Sequence, residues 1–305
     1  MKGLKSSGID ESPLKEAVQN DRYVHHVIKM NTRERRRFIQ GFVQDVPEII
    51  IHSAGTVGMS RIKENPNYAI YNNVTITSIL LEAIAAAKKK DESYNPMLLY
   101  FSSAEVYGNT SCASVRTNTY NLYPETARGA VAISKLLEEN VLNNFKREYG
   151  LGKLIIMRLF NVVGETQDTR FVVGKLVKDS IMGQPKVACT YRNFCHINFL
   201  TSTVSKIIEQ WQADSFTTFP NICNFGSFNP ENYISIVELA RIVSSIYPYS
   251  KDFELLKVTE HDIVFRKNTE YTNIPPNFLD REKDIPIKEI VHRYVRNFMQ
   301  KHYKE

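Results

Sequence analysis

The stretch "PMLLYFSSAEVYG", Pro96 to Gly108, sets the architecture. Its first half is a nearly unbroken apolar run. A strand with one face in water alternates polar and apolar residues, so this run implies a strand covered on both faces. Working outward, "EIIIHSAG" (48–55) is a short β-branched run that ends in small residues, and "VHHVIKM" (24–30) and "KLIIMRLFN" (153–161) read as further strands. Between them, "VTITSILLEAIAAAKKK" (74–90) has helical spacing and a basic last turn that suits the helix dipole. "VAISKLLEENVLNNFKREYG" (131–150) is an amphipathic helix with Leu136, Leu137, Val141, Leu142 and Phe145 on one face and Gly150 as its stop. Strands alternating with helices predict an α/β protein built on a doubly wound parallel sheet.

The chain of 305 residues suits one large α/β domain, or such a domain with a smaller companion. After about residue 165 Pro, Asn and aromatic residues become more frequent, as in "NPENYISIVELARIVSSIYPYS" (229–250). The expected division is 1–165 and a smaller mixed region, 166–305, with some of its segments returning to the first. No apolar run approaches the roughly 18 residues of a membrane span, and the polar N-terminus lacks the core of a signal peptide. A cytoplasmic protein without a membrane partner is expected. Cys112, Cys189, Cys195 and Cys223 have no paired short spacing, which points to packed, reduced thiols and to no metal site. Part of the net charge of +6 comes from "RERRR" (33–37). No aromatic residue interleaves with these arginines as in a nucleic-acid stacking platform, so the solvated face of a helix is the preferred reading and a nucleic-acid partner is not expected.

Seven segments, in order, resemble the extended short-chain dehydrogenase/reductase family, specifically its NAD-dependent nucleotide-sugar epimerases and dehydratases. They are "PEIIIHSAG" (47–55), "ENPNYAIYNNVTIT" (64–77), "FSSAEVYG" (101–108), "RGAVAISKLLEE" (128–139), "IMRLFNVVG" (156–164), "RNFCHIN" (192–198) and "ICNFGS" (222–227). The resemblance implies a Rossmann-like domain, trimmed at its N-terminus, followed by a smaller substrate-side region. It also implies a tyrosine as general acid/base and a lysine one helical turn on that lowers its pKa and holds the nicotinamide ribose. A strand-end serine binds the reacting oxygen. By this resemblance Ser103 takes the serine role, Lys135 the lysine role, and Glu105 the place of a glutamate kept by dehydratases and decarboxylases. Ala104 stands where dehydratases carry aspartic acid, which disfavours their elimination chemistry. Asn73 falls with the cofactor-binding positions, and Asn161 and Arg192 with those that face the substrate diphosphate. NAD or NADP is the implied cofactor, a nucleotide-sugar the implied ligand, and pairing through the 74–90 and 131–149 helices the implied assembly, as a homodimer or with a related protein.

Several positions depart from that pattern. Val131 occupies the tyrosine position and has no proton to give, a loss worth about 10²–10⁴ in rate. Tyr107, Tyr120 and Tyr123 are the nearby tyrosines considered as replacements, and none has the one-turn relation to Lys135. At the N-terminus, "LKSSGIDESPLKEAV" (4–18) laid on the glycine-rich turn puts Lys5, Gly8 and Glu11 at the three glycine positions, with the preceding strand missing. Gly8 alone survives, and Glu11 sets a negative charge near the pyrophosphate. After the second strand the ribose acid is replaced by Asn31, followed by Arg33, a pattern that fits either a 2′-phosphate or decay of the site. About 17 residues separate Met30 from Glu48, too few for the helix and strand expected there, so one strand is absent. Three readings follow: a degenerate family member without hydride chemistry that binds a nucleotide-sugar or pairs with an active homologue, an active oxidoreductase or epimerase with a substitute acid, and a non-enzymatic interaction scaffold.

Overall fold

The computed structural model describes residues 6–10, 23–27, 32–56, 62, 65–108, 122, 126–183, 185–213, 219–246, 253–258 and 271–303. Its centre is a parallel sheet in the order β3-β4-β5-β9, made of β3 (Ile49–His52), β4 (Met97–Ser103), β5 (Lys153–Leu159) and β9 (Ile222–Phe225). Side chains alternate between its faces. Leu98, Tyr100, Leu154 and Ile156 pack against helices α2 (Pro66–Lys90) and α3 (Ala127–Tyr149) through Leu80, Leu81, Ile84, Leu142 and Phe145. Met97, Leu99, Ile155 and Met157 pack the other way, against Phe199, Leu200, Val204 and Ile207 of α5 (Ile197–Gln212). Both faces of β4 and β5 are dry, which is why these strands read as continuous apolar runs, whereas Ile51 of the edge strand β3 is exposed. Each such side chain, fully buried, contributes about 1.5–3 kcal/mol.

The N-terminal half differs from the sequence expectation at its first strand. The strand thought missing is present: β1 (Ser6–Asp10) pairs in parallel with β2 (Tyr23–Val27), Gly8 opposite His25. Gly8 therefore lies within a strand, not in a phosphate-cradling turn. Two serines, a glycine and an aspartate disguise the strand, because β propensity and apolar alternation are both weak there. Parallel pairing needs a crossover of about a dozen residues. Residues 11–22, between the two strands in sequence, contain no glycine. From β2 the chain passes to α1 (Thr32–Gln44) and then to β3, with no further strand among the described residues between them, as the short spacing implied. Phe38 and Phe42 of α1 join the α2 side of the core.

Helix α2 starts well before the expected Val74. Asn65 caps it, its Oδ1 accepting the Tyr68 N–H at 2.9 Å, and Pro66 opens the first turn. By length and hydropathy α2 is apolar enough to cross a membrane, contrary to the sequence expectation, but half of that stretch is buried inside this protein. Helix α3 also starts early, at Ala127, capped by Thr126. The expected strand 153–161 breaks at Phe160. Beyond it, β6 (Asn161–Val163) joins β8 (Tyr191–His196) and β10 (Tyr233–Ser235) in a second sheet, ordered β10-β8-β6. Helices α4 (Val172–Met182), α6 (Ile236–Ile246) and α7 (Ile287–His302) enclose a separate core around Val173, Leu239, Val291 and Tyr294. Short strands β7 (Lys186–Ala188) and β11 (Glu254–Leu256) pair in parallel beside it. Strand β9 and helix α5, from beyond residue 165, return to the first sheet. Cys195 and Cys223 are buried free thiols, their pKa values pushed up by burial, and Cys189 is exposed; Cys112 lies outside the described residues.

Candidate functional site

Lys135 sits where β3, β4, α2 and α3 converge. It is almost fully buried, and its ammonium donates to the Tyr100 hydroxyl at 3.1 Å and to the Phe101 carbonyl at 3.2 Å. The Glu138 carboxylate, one turn along α3, stands 3.3 Å away through Oε2, close for charge but off the line of a hydrogen bond. Glu138 Oε1 accepts the Thr77 hydroxyl at 2.7 Å, and His52 Nε2 lies 2.8 Å from that same hydroxyl oxygen. Thr77 has one proton and gives it to Glu138, so His52 must donate from Nε2. The network thus assigns the tautomer, and its hydrogens run toward the carboxylate. Burial, and next the Lys135 charge, push the His52 pKa down to about 3, so the imidazole is neutral. Burial, reinforced by the charge and hydrogen bonding of Glu138, raises the Tyr100 phenol well above its ordinary range.

A second chain of hydrogen bonds runs beside the first. Asn73 Oδ1 accepts the Thr56 N–H at 2.6 Å, and its Nδ2 donates to Ser134, whose hydroxyl bonds the Val131 carbonyl. Asn72 donates to the Thr56 hydroxyl at 2.9 Å. Gly55 lies close over these groups: a Cβ there would stand 3.3 Å from Asn73 Oδ1 and 3.5 Å from Lys135 Nζ. Val131 itself is buried in a cluster with Ile62, Ala69 and Ala130.

At the end of β4, Ser103 caps the 3₁₀ turn Ala104–Tyr107, its oxygen accepting the Glu105 N–H. Glu105 Oε1 accepts from Arg128 Nη1 at 2.9 Å, whereas Oε2 has no hydrogen-bond partner among the described residues. Deeper, Glu139 takes two hydrogen bonds from buried Arg158, at 3.0 and 2.7 Å, and one from Ser102 at 2.5 Å. The Arg158 guanidinium also lies 4.9 Å from the Tyr107 ring centre. On the second sheet, Asn161 donates to the Asn193 carbonyl at 3.0 Å, and Arg192 is buried with Nη1 on the Tyr191 carbonyl at 2.9 Å.

The sequence profile described as the NAD dependent epimerase/dehydratase family matches residues 2–211. The chain belongs to that family. No curated protein sequence matches it. Among solved structures, the epimerase/dehydratase fold recurs in the UDP-glucose 4-epimerase of Thermotoga maritima with UDP-glucose, at 16% identity and TM-score 0.73, over 97% of this chain and 91% of that one. It recurs in a mutant UDP-glucuronic acid 4-epimerase of Bacillus cereus, in complex with a fluorinated UDP-glucuronic acid and NAD, at 18% identity and TM-score 0.70, over 93% and 83%. An NAD-dependent NDP-hexosamine 5,6-dehydratase involved in tunicamycin biosynthesis aligns at 17% identity and TM-score 0.71, over 96% and 89%.

Within this epimerase/dehydratase fold the structure brings together Lys135 and Asn73, through Gly55 and Ser134, and places Ser103 and Glu105 around one turn. Asn161 and Arg192 lie on neighbouring strands, Asn161 in register with Phe194. Arg33 is not among them: it is exposed on α1, where Arg35 pairs with Glu82 of α2 and Arg37 with Glu34 of the same helix. The solvated-face reading of "RERRR" describes these residues. Asn31, Tyr120 and Tyr123 lie outside the described residues. Tyr107 hydrogen-bonds Asn224, not Lys135. The tyrosine that does touch Lys135 is Tyr100, which sequence reasoning missed because it sits on a strand distant in sequence and looks like core. His52 and Thr77, also distant in sequence, were missed for the same reason, and Glu138, three residues from Lys135 on α3, was missed because an acid on an amphipathic helix reads as facing water. A polar residue breaking the apolar face of a helix, such as Glu138 beside Leu142, was the available signal.

Proposed function

We propose that this protein binds a nucleotide-sugar without carrying out hydride transfer, alone or beside an active relative of the same family. One observation carries the reading. The position one turn before Lys135 is a valine closed into an apolar cluster, and the tyrosine that reaches Lys135 is fully buried with a raised pKa. Neither can pass a proton to a sugar hydroxyl at neutral pH. Ser103, Glu105, Asn161 and Arg192 supply polar groups for a sugar diphosphate, with Gln167 and Asn193 fixing the backbone around them. Exposed Tyr68 and Tyr71 on α2 and Leu137 on α3 support a dimer through these helices. Light scattering then reads twice 35.1 kDa, and a monomer mass removes that part of the proposal.

A second reading, an active enzyme with a substitute acid, is favoured by Glu105, whose Oε2 has no partner among the described residues in the turn after β4. Calorimetric titration with UDP-glucose and UDP-glucuronic acid, alongside product analysis with NAD and NADP, separates the readings. Saturable sugar-nucleotide binding without product supports the first. Turnover that Glu105→Gln abolishes establishes the second. Failure to bind any of these ligands leaves an interaction scaffold and overturns both.

A further inference from the structure

We propose that Glu138 has captured the Lys135 ammonium, so that this lysine holds the junction of β4, α2 and α3 together and is not available to a nicotinamide ribose. An ammonium has three hydrogens. Tyr100 Oη and the Phe101 carbonyl take two, and the Glu138 carboxylate stands 3.3 Å from the nitrogen as its charge partner, off the line of a hydrogen bond. The side chains of Lys135 and Glu138 are 8% and 0% exposed, so the pair sits inside the protein. Glu138 is itself fixed: Thr77 holds Oε1, and His52 holds Thr77.

The residues present therefore do not fit a nicotinamide dinucleotide at its ribose end. The lack of glycine in the link from β1 to β2 adds an independent misfit at the pyrophosphate end. This inference goes beyond the loss of the acid at Val131. It rests on different residues and stands whether or not a nucleotide-sugar binds.

A buried charge left alone is strongly unfavourable, whereas removing both partners is tolerated far better. Lys135→Met and Glu138→Gln should each lower the thermal midpoint by several degrees, and the double variant should lie closer to wild type than the sum of the two. A labelling experiment covers the case in which a single variant does not fold. In native wild-type protein, reductive methylation followed by peptide mass spectrometry should modify Lys135 at least tenfold more slowly than Lys175, whose side chain is 60% exposed. Titration of wild type with NAD or NADP should give no saturable binding. Labelling of Lys135 at the rate of Lys175, an unchanged midpoint in Lys135→Met, or dinucleotide binding that Lys135→Met weakens tenfold would each overturn the proposal.

Discussion

Restoring the missing hydroxyl by Val131→Tyr should not create an enzyme. If the rest of the machinery were intact, a correctly placed acid would return about 10²–10⁴ in rate, or roughly 3–5 kcal/mol of barrier. That gain requires an ammonium free to lower the phenol pKa. Here the ammonium already has partners at 3.1, 3.2 and 3.3 Å, one of them a carboxylate that cancels its charge. The new ring must also enter the cluster of Ile62, Ala69 and Ala130 around a side chain only 9% exposed. Overpacking of this kind costs about 1–3 kcal/mol, and at about 2 °C per kcal/mol for a chain of this size the midpoint falls by about 2–6 °C. The assay is chromatography of UDP-glucose and UDP-glucuronic acid after a day with NAD, for variant and wild type side by side. No product and a lowered midpoint are expected. Conversion about a hundredfold above the wild-type rate would refute the reasoning, because it would require a free Lys135 and a bound dinucleotide.

The buried polar groups give three further expectations. Since the folded His52 pKa is depressed to about 3 from the usual 6.5, the unfolded chain binds the extra proton. Stability should therefore fall as pH drops from 6.5 toward 3, by roughly 1 kcal/mol per pH unit from this group, and His52→Gln should flatten that slope in urea titrations at pH 4 to 7. Arg158→Met strips two hydrogen bonds from buried Glu139 and should cost about 3–5 kcal/mol; a midpoint within 2 °C of wild type would contradict a structural pair. Gly226→Ala puts a Cβ 2.6 Å from Asn193 Oδ1 and 3.1 Å from Phe160 and the Tyr271 carbonyl. Asn193 is pinned by Ser227, so a loss of about 1–3 kcal/mol in thermal or urea unfolding is expected.

The central sheet was legible because a strand buried on both faces must be apolar throughout, and β4 and β5 are. Helix α3 was legible in existence and only partly in orientation. Leu137, read as core, is 43% exposed, while Glu138 and Glu139 beside it are buried. Periodicity assumes that acids face water. These two face Lys135 and Arg158, and pairing, not hydropathy, decides their placement. The strand at Ser6–Asp10 was illegible because its residues lack β propensity. Of the predicted site, the register of Val131 with Lys135 could be read from a gap-free segment. The partner of Lys135 could not, since Tyr100 lies 35 positions away and reaches it only through strand–helix packing.

The most direct test of a sugar-nucleotide binder without hydride chemistry is to incubate the purified protein with NAD, NADP, UDP-glucose and UDP-glucuronic acid, remove unbound ligand, denature, and identify what is released by mass spectrometry. A sugar nucleotide released near one per chain, with no dinucleotide, is the predicted result. Dinucleotide released near one per chain would contradict the account.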